Sequence, residues 1–130
     1  MKLNLTRNLT LIRIEAWATI DAEAERVRGQ FMTLGSGQAM VYDQKRREAE
    51  VFMANQGVSP GEIPHLTTES TMNGISIFDQ AVIYLTMSEQ WLTVSPMIEN
   101  LRLAAKAAVS NATNPREIYE ATMNIGWPTP

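Results

Sequence analysis

Residues 14–55 read IEAWATIDAEAERVRGQFMTLGSGQAMVYDQKRREAEVFMAN, and their pattern decides the fold. Trp17, Ile20, Ala24, Val27, Phe31 and Leu34 recur at alternating steps of three and four, the period of one face of an α-helix. Acidic Glu15, Asp21, Glu23 and Glu25 come early and Arg26 and Arg28 late, an order that complements a helix dipole. Gly35-Ser36-Gly37 interrupts the period: Gly35 suits the left-handed position that ends a helix, and Ser36 can cap the next. The period resumes over 38–55, with Val41 or Tyr42, Lys45, Ala49 and Phe52 on one stripe and Met53 beside it. A turn this short predicts an antiparallel helical hairpin over about 14–55.

Working outward, residues 1–13 alternate, with Leu3, Leu5, Leu9 and Leu11 on one parity and Asn4, Thr6, Asn8 and Thr10 on the other. That is a strand period, and it predicts an extended N-terminal arm that either packs along the body or adds to a partner's sheet. On this reading deletion of the arm leaves the helices intact. Residues 56–66, QGVSPGEIPHL, hold two prolines and two glycines and predict a loop; TTESTMNG after it is either loop or a short helix, so 56–74 is read as loop. Over 75–92 the stripe Ile75, Phe78, Val82, Leu85 lies beside Ile77, Ala81, Tyr84, Trp91, which predicts a helix central in the core.

Ser95-Pro96 predicts a break or kink, followed by a helix with Ile98, Leu101, Ala105 and Ala108 inward and an Ala-rich stretch that allows close approach. Asn114-Pro115-Arg116-Glu117 is a capping box that opens a last helix to Ile125, with Ile118, Ala121 and Ile125 inward. The expected fold is all-α: a helical hairpin plus two or three further helices in a small bundle. The C-terminal half, 75–130, ends in a Trp-Pro tail.

Composition narrows the chemistry. The chain has 130 residues, 45% apolar and 19% charged, with a net charge of −3. One domain-sized core fits this length. An acidic balance is a poor footprint for nucleic acid. No cysteine excludes disulfides, thiolate metal sites and cysteine nucleophiles, and a single histidine, His65, excludes a His-rich metal site. Interrupted apolar runs at the start predict no signal peptide, and no run is long enough to predict a membrane span.

Acid–base candidates are few. Asp21 and Glu25 are i,i+4 on the polar side of their helix, and Glu69 follows His65 at i+4; His65 reads as a solvated or capping residue in a Pro-bounded loop. The Gly-Ser-Gly turn lacks the Lys-Ser/Thr ending of a phosphate loop. Lys45-Arg46-Arg47 lies among Asp43, Glu48 and Glu50 and reads as an exposed face of intrahelical pairs. Eight methionines fill a core or line an adaptable binding surface. Trp127, after Gly126 and before Pro128, docks either on its own helices or on another subunit.

The segment IDAEAERVRGQFMTLGSGQAMVYDQKRREAEVFMA, the Pro-rich break, LRLAAKAAVSNATNP and NIGWP together resemble small helical proteins associated with tail fibres and baseplates of tailed bacteriophages. The closing Asn124-Ile125-Gly126-Trp127-Pro128 is similar to the C-termini of phage tail-fibre assembly proteins. Those end on an acidic-Ile-x-Trp-Pro pattern, with Asn124 here at the acidic position, and the arm 1–13 stands where they have a β-rich domain. The resemblance implies no enzyme, no catalytic residue and no cofactor. It implies a structural or adaptor role in a phage tail, at the baseplate or fibre attachment. Two alternatives are a tail-fibre assembly chaperone and a small ligand-binding helical bundle, the last requiring His65 to meet buried carboxylates. The implied partners are tail, baseplate or fibre proteins and further copies of the chain (a trimer by analogy), with no nucleic acid and no membrane. The implied location is the virion tail, after assembly in the host cytoplasm. Leu3, Leu5, Leu9, Leu11, Trp127 and Pro128 are the expected partner-binding residues.

Overall fold

A computed structural model describes residues 5–130. It is all-α: among the described residues there are five α-helices, one short 3-10 turn and no strand. The helices are α1 (Leu5–Arg28), α2 (Ser36–Ala54), α3 (Pro64–Asn73), α4 (Ile77–Asn111) and α5 (Pro115–Ala121). They form two compact units. One joins α1 and the turn to Met32 with Val94–Pro130; the other is Thr33–Thr93. The helix α4 contributes its first half to the second unit and its second half to the first.

In the first unit, α1 buries Ile20, Ala24 and Val27 of the expected seam, while Ala16 is buried in place of Trp17, which with Phe31 is half-buried. Ala16 and Ile20 pack with Ala105, Val109, Ala112 and Ile118, and Ala24 and Val27 with Ile98. Ala105 and Ala112 of the Ala-rich stretch share this core with Ala16. Val109, not Ala108, takes the inward position, and Ala108 is exposed. Charged residues edge this core: Asp21 accepts from Arg102 and Lys106, each at 2.9 Å, and Glu99 accepts from Arg28 at 2.9 Å and Arg102 at 2.7 Å. The N-cap of α5 forms as expected, with Glu117 N donating to Asn114 Oδ1 at 2.9 Å. The Glu117 carboxylate reaches one residue further back, to Thr113 N at 2.9 Å. Helix α5 stops at Ala121, four residues short of the expected end.

In the second unit, Ala49 and Phe52 of α2, Ile63 and Leu66 around the start of α3, and Ala81 and Tyr84 of α4 make the core. Gly74 closes α3 in the left-handed conformation, φ 65° and ψ 31°, which a residue without Cβ adopts at no steric cost. Asn73 Nδ2 donates to the buried Gln80 Oε1 at 2.8 Å, tying the end of α3 to α4.

Several boundaries correct the sequence reading. Helix α1 begins at Leu5, so residues 5–13 of the expected arm are helical, and Leu3 lies outside the described residues. Leu9 and Ile12 pack against the Ile20 core and Arg13 donates to Ala112 O at 2.7 Å. The period-two alternation lost to this burial: positions 9, 12, 16 and 20 also lie on one helical face. Helix α1 ends at Arg28, Leu34 is exposed, and Gly35 is the N-cap of α2 with φ 124° rather than the end of α1. The helices of the expected hairpin fall in different units, and each core holds only residues of its own unit. The 56–74 loop contains all of α3, which Pro64 opens at its first turn. Pro96 does not end α4, which continues through it.

Candidate functional site

The second unit holds a polar cluster on a fully hydrogen-bonded carboxylate. Glu48 of α2 is 1% exposed. Its Oε1 accepts from Leu66 N at 3.1 Å, and its Oε2 accepts from Gln44 Nε2 at 3.2 Å and from His65 Nδ1 at 2.5 Å. The local sequence explains the arrangement. Pro64 starts α3, but the N-cap residue is Ile63, whose side chain has no acceptor for the first-turn amides. Glu48 supplies that acceptor from the neighbouring helix. Because a carboxylate only accepts, the His65 Nδ1 carries the hydrogen and Nε2 is left for another partner.

Around this pair, Lys45 is ion-paired to Glu69, and its ammonium lies 5.3 Å from the centre of the Tyr84 ring. Tyr84 Oη donates to the His65 carbonyl at 3.3 Å. Burial, together with Glu69, pushes the Tyr84 phenol up, so it serves as a neutral donor. Burial alone would raise Glu69, but Lys45, by its bond and its charge, with Tyr84 and His65 nearby, holds it below the usual carboxylate range. A shallow groove of about 390 Å³ opens beside the cluster, lined by Pro64, His65, Thr68, Glu69 and Met72. Among the described residues, no group of three or more His, Asp or Glu could hold a metal ion.

The i+4 spacing of His65 and Glu69 was visible in the sequence, whereas Glu48 read as one of a set of surface pairs. Arg46 and Arg47 do pair within α2, with Asp43 and Glu50, as expected. Glu48 differs because it stands four residues before the buried Phe52 and three after Lys45, on the inward stripe. That spacing is the signal that could have found it.

A second feature lies on α4. Ile77, Ala81 and Tyr84 face the core, but Phe78, Val82, Ile83 and Met87 are 44%, 40%, 43% and 41% exposed. The helix is therefore not buried round its girth as its two apolar stripes suggested: Leu85 of the first stripe packs against the core, but Phe78 and Val82 of the same stripe are exposed. Methionines follow the same trend: Met40, Met53, Met72, Met87, Met97 and Met123 are all exposed and none is in a core. That removes core filling as their main role.

The expected partner-binding residues scatter. The side chain of Leu5 is not described, Leu9 is half-buried in its own core and Leu11 is exposed. Trp127 packs against both clusters of the first unit and donates from Nε1 to Glu23 Oε2 at 3.1 Å, and Pro128 beside it is half-buried. Of the two dockings open to Trp127, the structure shows the intramolecular one. No described helix is long and apolar enough to cross a membrane. No protein-family model, curated protein or solved structure matches the chain.

Proposed function

We propose that the chain is a non-enzymatic structural or adaptor component that works by docking to other proteins, in the phage-tail setting its sequence resembles. The observation that carries this reading is the set of exposed apolar side chains on α4, Phe78, Val82, Ile83 and Met87. Exposed apolar patches of this kind mark sites of protein contact, and exposed methionines adapt to a partner's shape. Purified tail particles of the phage encoding the chain should contain it at fixed stoichiometry by mass spectrometry. Its absence from them would overturn the tail-component reading. Rescue of soluble fibre protein on co-expression would then favour an assembly chaperone.

One observation favours a second reading, a small ligand-binding helical unit. His65 meets the buried Glu48 at the edge of an open groove, the condition set by the sequence for this alternative. A screen of small polar compounds by thermal shift, repeated on His65→Gln, tests it: a shift abolished by the substitution supports a ligand site, and no shift with any compound counts against one.

A further inference from the structure

Asn73 is the only asparagine of the chain followed by glycine; the others precede Leu, Gln, Ala, Pro or Ile. An Asn-Gly pair cyclises readily, because glycine has no Cβ to shield its nitrogen and turns freely into the ring geometry. We propose that Asn73 is a self-modification site gated by opening of the end of α3: the Gly74 nitrogen closes on the Asn73 side-chain amide and converts it to isoaspartate or aspartate. A bond forms from Gly74 N to Asn73 Cγ and the Cγ–Nδ2 bond breaks. Nδ2 leaves as ammonia, taking the proton of the Gly74 N–H. Water then adds to the cyclic imide. Opening at Cγ gives aspartate; opening at the former Asn73 backbone carbonyl carries the chain through Cβ and Cγ, as isoaspartate.

The fold leaves this pair in reach of water but holds it shut. Asn73 is the last residue of α3 and is exposed, and a Cβ on Gly74 would meet nothing within 4 Å beyond its chain neighbours. Ring closure needs both nitrogens free, and both are engaged. Gly74 N donates to the Thr71 carbonyl at 3.2 Å, and Ile75 N after it to Ser70 at 3.1 Å. Asn73 Nδ2 donates at 2.8 Å to Oε1 of Gln80, which is buried. These bonds go together when the last turn of α3 frays, and helix ends are where native chains open most easily. The product cannot restore them. Isoaspartate puts an extra carbon into the main chain just before Gly74, which takes its N–H out of register with Thr71, and the Nδ2 donor to Gln80 is gone. The new carboxylate stands at the C-terminal end of a helix, where the dipole disfavours it. No Lys or Arg occurs between Arg47 and Arg102, so no cation of that stretch answers it. Each conversion therefore loosens the corner between α3 and α4 in one direction only.

The test incubates the full chain at mildly alkaline pH, with and without unfolding urea. Chromatography and mass spectrometry of the peptide 70–89 resolve its asparagine, aspartate and isoaspartate forms. Asn73 should convert in native buffer, with isoaspartate among the products, at least about tenfold more slowly than in urea. Gln80→Leu removes the acceptor and keeps an apolar side chain of similar size in the buried position. It should speed the native reaction severalfold and leave the rate in urea unchanged. The isoaspartate form, separated by ion exchange, should unfold at lower urea than the parent. No conversion in native buffer while the urea sample is consumed overturns the proposal. So do equal rates in the two conditions, or conversion spread evenly over the other asparagines. A Gln80→Leu chain that matches the parent by circular dichroism and converts at the parent rate overturns it too. If Gln80→Leu does not fold, the ratio of native to unfolded rates and the unfolding of the isolated isoaspartate form decide: a ratio near one, or parent-like unfolding, overturns the proposal.

Discussion

Glu48 holds His65 by its Nδ1 at 2.5 Å while its other oxygen caps Leu66, so one buried carboxylate both starts α3 and orients the histidine. Removing it leaves the Leu66 amide and the Gln44 and His65 donors without their acceptor. Glu48→Ala should cost about 2–4 kcal/mol in urea unfolding. Glu48→Gln keeps one oxygen for Leu66 N and should cost less, about 1–2 kcal/mol. Equal losses in the two variants would mean that volume, not capping, is what Glu48 contributes.

Acid should weaken the first unit through its carboxylates. Asp21 titrates below its ordinary value of 3.8 because Lys106 donates to it, with Arg102 adding, against the opposing cost of burial. Glu99 is lowered chiefly by its bond from Arg102. Groups depressed in the folded state add stability that is complete above the ordinary carboxylate range and is lost as pH falls through their lower folded-state values. Stability should therefore decline below about pH 4, and Asp21→Asn should flatten that decline. A chemical-denaturation series over pH measures both slopes, and parallel curves would remove Asp21 from the account.

Trp127 should prove to be a structural residue. Its ring joins two apolar clusters and its Nε1 is bonded to Glu23. Trp127→Ala should cost about 2–4 kcal/mol, below the loss for a fully buried ring because the side chain is half-exposed. A loss under about 0.5 kcal/mol would point to a role on another subunit.

Truncation to residue 14 should destabilise the first unit rather than spare it. It removes Leu9 and Ile12 from the Ile20 core and the Arg13 bond to the Ala112 carbonyl. The expected loss is about 2–4 kcal/mol by thermal or urea unfolding. An unchanged transition would restore the free-arm reading.

Pro96→Ala should stabilise. Proline inside α4 has no N–H to give the Leu92 carbonyl and crowds the preceding turn. Restoring the amide should add about 1–3 kcal/mol and raise the melting temperature. A neutral or negative effect would mean that the surroundings of Pro96 have adapted to it.

The fold class was legible because Ile20, Ala24 and Val27 are buried at the spacing that the helix period requires, and because Asn114 and Glu117 make the cap their types suggest. What misled was local ambiguity. Leu9 and Ile12 fit a strand and a helix pattern alike, and tertiary burial chose the helix. Pro96 in α4 was tolerated because the helix packs on both sides of it, at Tyr84 and at Ile98. The Glu48–His65 pair was illegible because its parts lie on separate helices and meet only through the packing of Ala49 and Leu66. Phe78 and Val82 read as core because periodicity identifies an apolar stripe but not whether anything covers it.

The interval between Arg47 and Arg102 also shapes how the chain can be detected. Trypsin cleaves after Lys and Arg, so complete digestion leaves residues 48–102 as one fragment that carries Glu48, His65, all of α3 and α4 as far as Arg102. Short tryptic peptides will come only from the two flanks, and the signal from a particle will under-represent the middle of the chain. A glutamate-directed protease opens the same fragment at Glu50, Glu62, Glu69, Glu89 and Glu99. In the folded protein the buried Glu48 should be the last of its carboxylates to be cut.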